Sequence, residues 1–138
     1  MTHSTNTIWK HDLHFVSELD DQEVNFDATA LSEQNNHGVS PKKIVLSALA
    51  GCTGMDVAAL LNKKFKVSFS DLSVEVSGEL TDRHPKYYHK IKVVYTVKVD
   101  PAHHDQVAEA VKLSTEKYCG VHAMLSQAAS IEHSINFI

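Results

Sequence analysis

Hydrophobic and polar residues alternate with period two along several stretches of the chain. Between them lies one long stretch that is apolar on nearly every side. Trp9, His11, Leu13 and Phe15 alternate with Lys10, Asp12 and His14, which predicts a strand over residues 7–19. Asp20-Asp21 predicts a turn, and Val24, Phe26 and Ala28 predict a second strand, so the two make a hairpin. Residues 29–39 are polar, contain Gly38 and predict a loop. Further on, Leu72, Val74 and Val76 alternate with Ser73, Glu75 and Ser77. Val67 and Phe69 are out of phase with them, which places a bulge or bend near Ser70-Asp71. Residues 81–86 make the next turn, and Ile91, Val93, Tyr95, Val97 and Val99 form a strand with a lysine-rich outer face. Asp100-Pro101 ends it. An amphipathic helix over 104–117 runs through Val107, Ala110, Val111 and Ser114. A shorter helix over about 119–129 follows a kink at Gly120, and Ile131, His133, Ile135 and Phe137 close the chain as a strand. The order is β-β-α-β-β-α-α-β in a single domain, residues 1–138: an α+β fold with antiparallel hairpins and helices on one face.

The apolar stretch is Ser40 to Lys64. Ser40 suits a helix N-cap and Pro41 the first helical position. Ile44, Val45, Leu46, Leu49, Met55, Val57, Leu60 and Leu61 leave few polar faces, which predicts a helix buried all round. One chain offers few elements to cover it. Two arrangements answer this. Either two central helices pack together in a dimer through the small residues Ser47, Gly51, Gly54 and Ala58, or one face takes the sheet and the other takes the C-terminal helices.

Composition narrows the function. The 138 residues carry a formal charge of −4 with acids and lysines mixed, which argues against a nucleic-acid binder. The ten histidines are scattered, with only His103 and His104 adjacent and no zinc-site spacing, so no metal is expected. The N-terminus lacks a signal peptide's basic and apolar regions. Ser47, Thr53 and Asp56 interrupt the central helix, which argues against a membrane span. A cytoplasmic protein is expected, and in the cytosol two cysteines are not a structural staple by default.

Those cysteines carry the candidate chemistry. Cys52 sits in AGCTGMD, mid-helix, between two glycines that each cost about 1 kcal/mol of helix stability. A lone buried cysteine is most often a small core hydrophobe; the glycines call for close packing or access for a ligand. Asp56, one turn on, disfavours a Cys52 thiolate if the two are close. Cys119 sits in EKYCGVH near a helix start. There the helix end and Lys117 are expected to lower a thiol pKa, and His122 is within reach of the sulfur. Cys-x-x-His within one turn is also common by chance.

The run SPKKIVLSALAGCTGMDV, followed by EKYCGVHAML, resembles the OsmC/Ohr family, and the OsmC-like subgroup more than Ohr itself. The resemblance spans most of the chain and keeps the same element order. It implies antiparallel sheets wrapped around the central helices of an intertwined homodimer. It also implies that Cys52 is the peroxidatic and Cys119 the resolving residue of a thiol-dependent peroxidase. That enzyme would reduce small hydrophobic hydroperoxides with a dithiol such as a dihydrolipoyl group, and would need no cofactor. The family's peroxidases hold the thiolate with an arginine from the N-terminal half and a glutamate just after the helix-opening proline. Here the sole arginine is Arg83, in a turn, and Lys42 stands at the glutamate position. A non-enzymatic dimeric binding protein or redox sensor of the same fold is therefore the alternative.

Overall fold

The computed structural model describes residues 1–28 and 37–138. Most of the expected 29–39 loop lies outside the described residues. The chain divides into two compact units, Met1–Val45 and Leu46–Ile138.

The first unit is a three-stranded antiparallel meander: β1 (Asn6–His11), β2 (His14–Leu19) and β3 (Gln22–Phe26). Residues 7–19 are thus two strands and not one, because the chain turns back at Asp12-Leu13 and pairs Trp9 with Phe15. Asp12 adopts φ 47°, the left-handed conformation that aspartate tolerates better than most residues. The Trp9 indole N–H donates to the Asp12 carbonyl at 2.9 Å. Asp20 repeats the device at the next turn, with φ 53°. Beyond β3, Asp27 is buried and its carboxylate accepts the backbone N–H groups of Ala28 (2.8 Å) and His37 (3.1 Å). That pair of bonds ties residue 37 back to the end of β3. At Gly38 a side chain would collide with the Asn25 carbonyl, so the close approach needs glycine.

Helix α1 (Pro41–Ala59) widens at its end into a π turn, Leu60–Lys64. By length and hydropathy (mean 1.9) Pro41–Lys64 is apolar enough to cross a membrane, so the polar interruptions do not exclude a span on composition alone. Here it is the core helix of the second unit. Leu49, Thr53, Val57 and Leu61, at i, i+4 spacing, are all buried. They meet the alternate residues Ile91, Val93, Tyr95 and Val97 of β5 (Tyr88–Val99) and Val107, Ala110 and Val111 of α2 (His104–Leu113) in one core. Strand β4 (Phe69–Leu80) pairs antiparallel with β5, with the expected irregularity between Ser70 and Ser73 and Asp71 at φ 53°. Asp100 ends β5 and accepts the Ala102 N–H at 2.9 Å.

One expectation of direction fails. Strand β6 (Ser130–Phe137) runs parallel to β5, with Ile91 opposite Ile131 and Tyr95 opposite Ile135, so the sheet is mixed. The cause is the connection. A strand that returns after helical crossover segments can enter in the same direction, which a tight turn cannot allow.

Gly54 sets the distance between α1 and β4: a Cβ there would stand 3.3 Å from Val74 Cγ2. Gly54→Val is therefore expected to lower the unfolding free energy by about 1–3 kcal/mol. The check is a shifted urea midpoint at unchanged slope.

Candidate active site

The site begins with the polar residues of an apolar helix. Cys52 and Asp56 lie one turn apart on α1, and Thr53 beside them points into the core. The opposing residues come from the end of α2. Its last turn also widens to a π turn, Ser114–Tyr118, closed by the Cys119 N–H donating to the Ser114 carbonyl at 2.8 Å. The extended conformation of Cys119 (φ −74°, ψ 102°) stops the helix and starts α3 (Gly120–Leu125). Local π widening is frequent at functional sites, since it re-aims side chains. Here it brings both the Ser114 hydroxyl and the Cys119 thiol toward α1.

A directed hydrogen-bond chain results. The Ser114 hydroxyl donates to the Asp56 carboxylate at 2.9 Å. With its one proton so used, Ser114 Oγ accepts from the Thr53 hydroxyl at 2.8 Å, and Thr53 Oγ1 in turn accepts from the Tyr95 hydroxyl at 2.7 Å. Every link follows from each hydroxyl having one proton. Burial pushes the Tyr95 phenol above its ordinary pKa, and the nearby Cys119 and Asp56 add to this, so it stays a donor.

Beside this chain the two sulfurs meet. Cys52 Sγ, Cys119 Sγ and a carboxylate oxygen of Asp56 all lie within 4.8 Å of one another. Two thiols and a carboxylate at this spacing suit disulfide chemistry after a small approach, and a thiophilic divalent metal would also find ligands here. Both thiols are free. Cys119 is 4% exposed, whereas Cys52 is half-buried. A cleft of about 180 Å³ lined by Asp56, Ala59, Leu60 and Tyr118 opens beside the carboxylate. Larger hollows, of about 400 and 510 Å³, lie over the β4–β5–β6 sheet, and no thiol lines them.

Several expectations change. Cys119 does cap a helix, and its sulfur accepts the His122 N–H at 3.3 Å. Its pKa nevertheless rises to about 11, because burial, the Cys52 side chain and the Asp56 charge outweigh that one hydrogen bond. Lys117 does not counter them; its ammonium lies over the Tyr118 ring, 5.2 Å from the centroid. The His122 ring does not reach the sulfur. It stacks on His133 of β6, with Nε2 atoms 3.1 Å apart. Arg83 remains in the turn between β4 and β5. Tyr95 and Ser114 were missed as site residues. The available signal was a serine on the apolar face of α2 and a threonine in the buried stripe of α1, each of which needs a polar partner.

The sequence pattern of the OsmC-like protein family matches residues 33–134. The chain belongs to the OsmC-like family. Protein YhfA of Escherichia coli K12 is 34% identical over 99 residues, which is 72% of this chain and 73% of that protein. The fold is shared with an OsmC-like protein from Mycoplasma pneumoniae. The TM-score is 0.83 at 16% identity, covering 100% of this chain and 98% of that one. It is also shared with the organic hydroperoxide resistance protein OhrB of Bacillus subtilis. There the TM-score is 0.66 at 14% identity, covering 96% and 98%. The resemblance to the OsmC family and the expected OsmC-like fold are thus borne out.

The raised Cys119 pKa has a stability consequence. A thiol whose pKa is higher folded than unfolded contributes fully below the unfolded value and loses that contribution as pH rises toward the folded one. The unfolding free energy is expected to fall between pH 9 and about 11, and to fall less steeply in Cys119→Ala. Urea unfolding at a series of alkaline pH values measures both slopes.

Proposed function

We propose that this OsmC-like protein reduces organic hydroperoxides with its two cysteines. The observation that carries the reading is the meeting of Cys52 and Cys119, from separate elements, at one point of the fold. The half-buried Cys52 takes the peroxidatic role because a hydroperoxide can approach it. The buried, high-pKa Cys119 takes the resolving role. The Cys52 thiolate attacks the distal peroxide oxygen, the O–O bond breaks, and an alcohol and a Cys52 sulfenic acid form. The Cys119 thiol condenses with the sulfenic acid, releasing water and leaving a disulfide. An external dithiol, such as a dihydrolipoyl group, returns two electrons and two protons by exchange. Such chemistry needs reduced thiol donors, which suits the cytoplasm. The fold shared with OhrB of Bacillus subtilis is consistent with it.

A second reading, a redox sensor or dimeric binding protein, is favoured by Asp56. Where a cation would activate a thiolate, a carboxylate stands beside both sulfurs. The test is hydroperoxide consumption with dihydrolipoamide as donor. Wild type is expected to turn over cumene hydroperoxide, and Cys52→Ser to lose the activity. Under the enzyme reading, mass spectrometry of wild type after one equivalent shows loss of two hydrogens, and Cys119→Ser shows sulfinic acid instead. Disulfide formation without turnover would leave the sensor standing. A Cys52 that stays a free thiol would exclude both thiol readings.

We further propose a homodimer through α1. Within the single chain, Met55 is 74% exposed on a helix whose apolar window is only 22% buried. A Cβ at Gly51 meets nothing within 4 Å, so that face accepts a second backbone at close range. Light scattering is expected to give twice 15.3 kDa. A folded monomer at micromolar concentration would rule the pairing out.

A further inference from the structure

The histidines are not all scattered. His11 at the end of β1, His14 at the start of β2 and His37 beyond β3 form a tight triangle within the first unit. Their ring centroids lie 5.4 Å (His11–His14), 5.2 Å (His11–His37) and 5.1 Å (His14–His37) apart. The fold fixes all three. The two-residue turn at Asp12 sets His11 opposite His14 across the β1–β2 pair. The Asp27 carboxylate holds His37 by its backbone N–H at 3.1 Å.

These separations have a chemical meaning. Zinc binds imidazole nitrogen at about 2.0–2.1 Å, and the ring centre lies about 1 Å beyond the nitrogen, so three imidazoles on a tetrahedral ion have centroids about 5 Å apart. Without an ion, two of the rings spend one nitrogen on a neighbour and keep the other. His14 Nε2 bonds Asn25 Oδ1 at 2.8 Å, while its Nδ1 is buried without a partner. His11 Nδ1 bonds the Asp12 carboxylate at 3.3 Å, leaving Nε2. Asp27, whose carboxylate accepts the His37 backbone N–H at 3.1 Å, places a negative charge beside the third ligand residue.

We propose that His11, His14 and His37 form a three-histidine site for a divalent transition-metal ion of the Zn²⁺ class, independent of the cysteine chemistry. Ligation requires the rings to turn about their Cβ–Cγ bonds until one nitrogen of each faces inward, which exchanges the Asn25 and Asp12 bonds for the ion. Such a turn barely moves the ring centres, which already stand at the required spacing. The fourth position stays open to water or an anion.

The experiment titrates Zn²⁺ into the full chain by calorimetry at pH 7.5, in a Cys52→Ser/Cys119→Ser background so that the thiols do not compete. One ion per chain is expected. His14→Ala, and separately His11→Ala with His37→Ala, should weaken binding at least about tenfold. Binding should also be lost near pH 5.5, where imidazoles protonate. His11 and His37 are exposed, so their replacement leaves the fold testable by its circular dichroism. Zn²⁺ should raise the melting temperature of the background protein and not that of the double histidine variant. Absence of stoichiometric binding would overturn the site, as would binding that the histidine substitutions leave unchanged.

Discussion

The hydrogen-bond chain from Tyr95 through Thr53 and Ser114 to Asp56 constrains the second unit more than any single apolar contact. It ties strand β5, helix α1 and the π-widened end of α2 at one depth. Leu49, Val57 and Leu61 would accept several registers against the sheet at small cost, because hydrophobic burial is not directional. The hydroxyl chain accepts one. A buried hydroxyl left without a partner costs about 1–3 kcal/mol, so sliding α1 by a turn would strand two or three such groups at once. The polar chain therefore chooses the register that the apolar core stabilises.

From that register the sulfur geometry follows. Thr53 is bracketed by Cys52 and, one turn on, Asp56. Fixing Thr53 against Ser114 therefore brings Cys52 and Asp56 up to the segment that carries Cys119. The same bonds explain why the carboxylate stands beside two thiols: Asp56 is held there by the Ser114 hydroxyl. Its electrostatic effect on Cys119 adds to burial, and the His122 N–H is too small an opposing influence to bring that thiol down. A buried thiol that remains protonated near neutral pH is a poor nucleophile toward peroxide. It serves better as the partner that attacks a sulfenic acid already formed nearby. In the proposed reaction, the division of labour between the cysteines thus rests on depth.

Much of this was legible in the sequence, and the failures have physical causes. Alternation located β4 to β6 because each has one face more buried than the other, and the apolar Val24 and Phe26 marked β3. It did not separate β1 from β2, since a two-residue turn preserves parity and Leu13 continues the pattern of Trp9, His11 and Phe15 across it. It was also blind to the direction of β6, because period-two patterning is the same for parallel and antiparallel neighbours. The long helix was plain, but its all-round hydrophobicity did not say which stripe meets this chain's own sheet. Both cysteines were visible as motifs. Their common location depends on the π turn at Ser114–Tyr118, which no periodicity marks. The histidine triangle was hidden for a related reason: His11 and His14 are near in sequence, but His37 joins them through the Asp27 carboxylate and the backbone bonds of Val39 to Asn25 and Asp27.

Electrostatics separates the two clusters. Beside the sulfurs stands the Asp56 carboxylate, and Cys119 stays a protonated thiol near neutral pH because burial, Cys52 and that charge push its pKa up to about 11. Around the three imidazoles, lone pairs on the ring nitrogens suit an incoming cation, with the Asp12 carboxylate against the His11 ring and the Asp27 carboxylate against the His37 backbone N–H. A hydroperoxide is neutral until its O–O bond breaks, and the negative charge then leaves on the departing oxygen. In the proposed reaction that departure carries negative charge away from the Asp56 carboxylate, which stands beside both sulfurs.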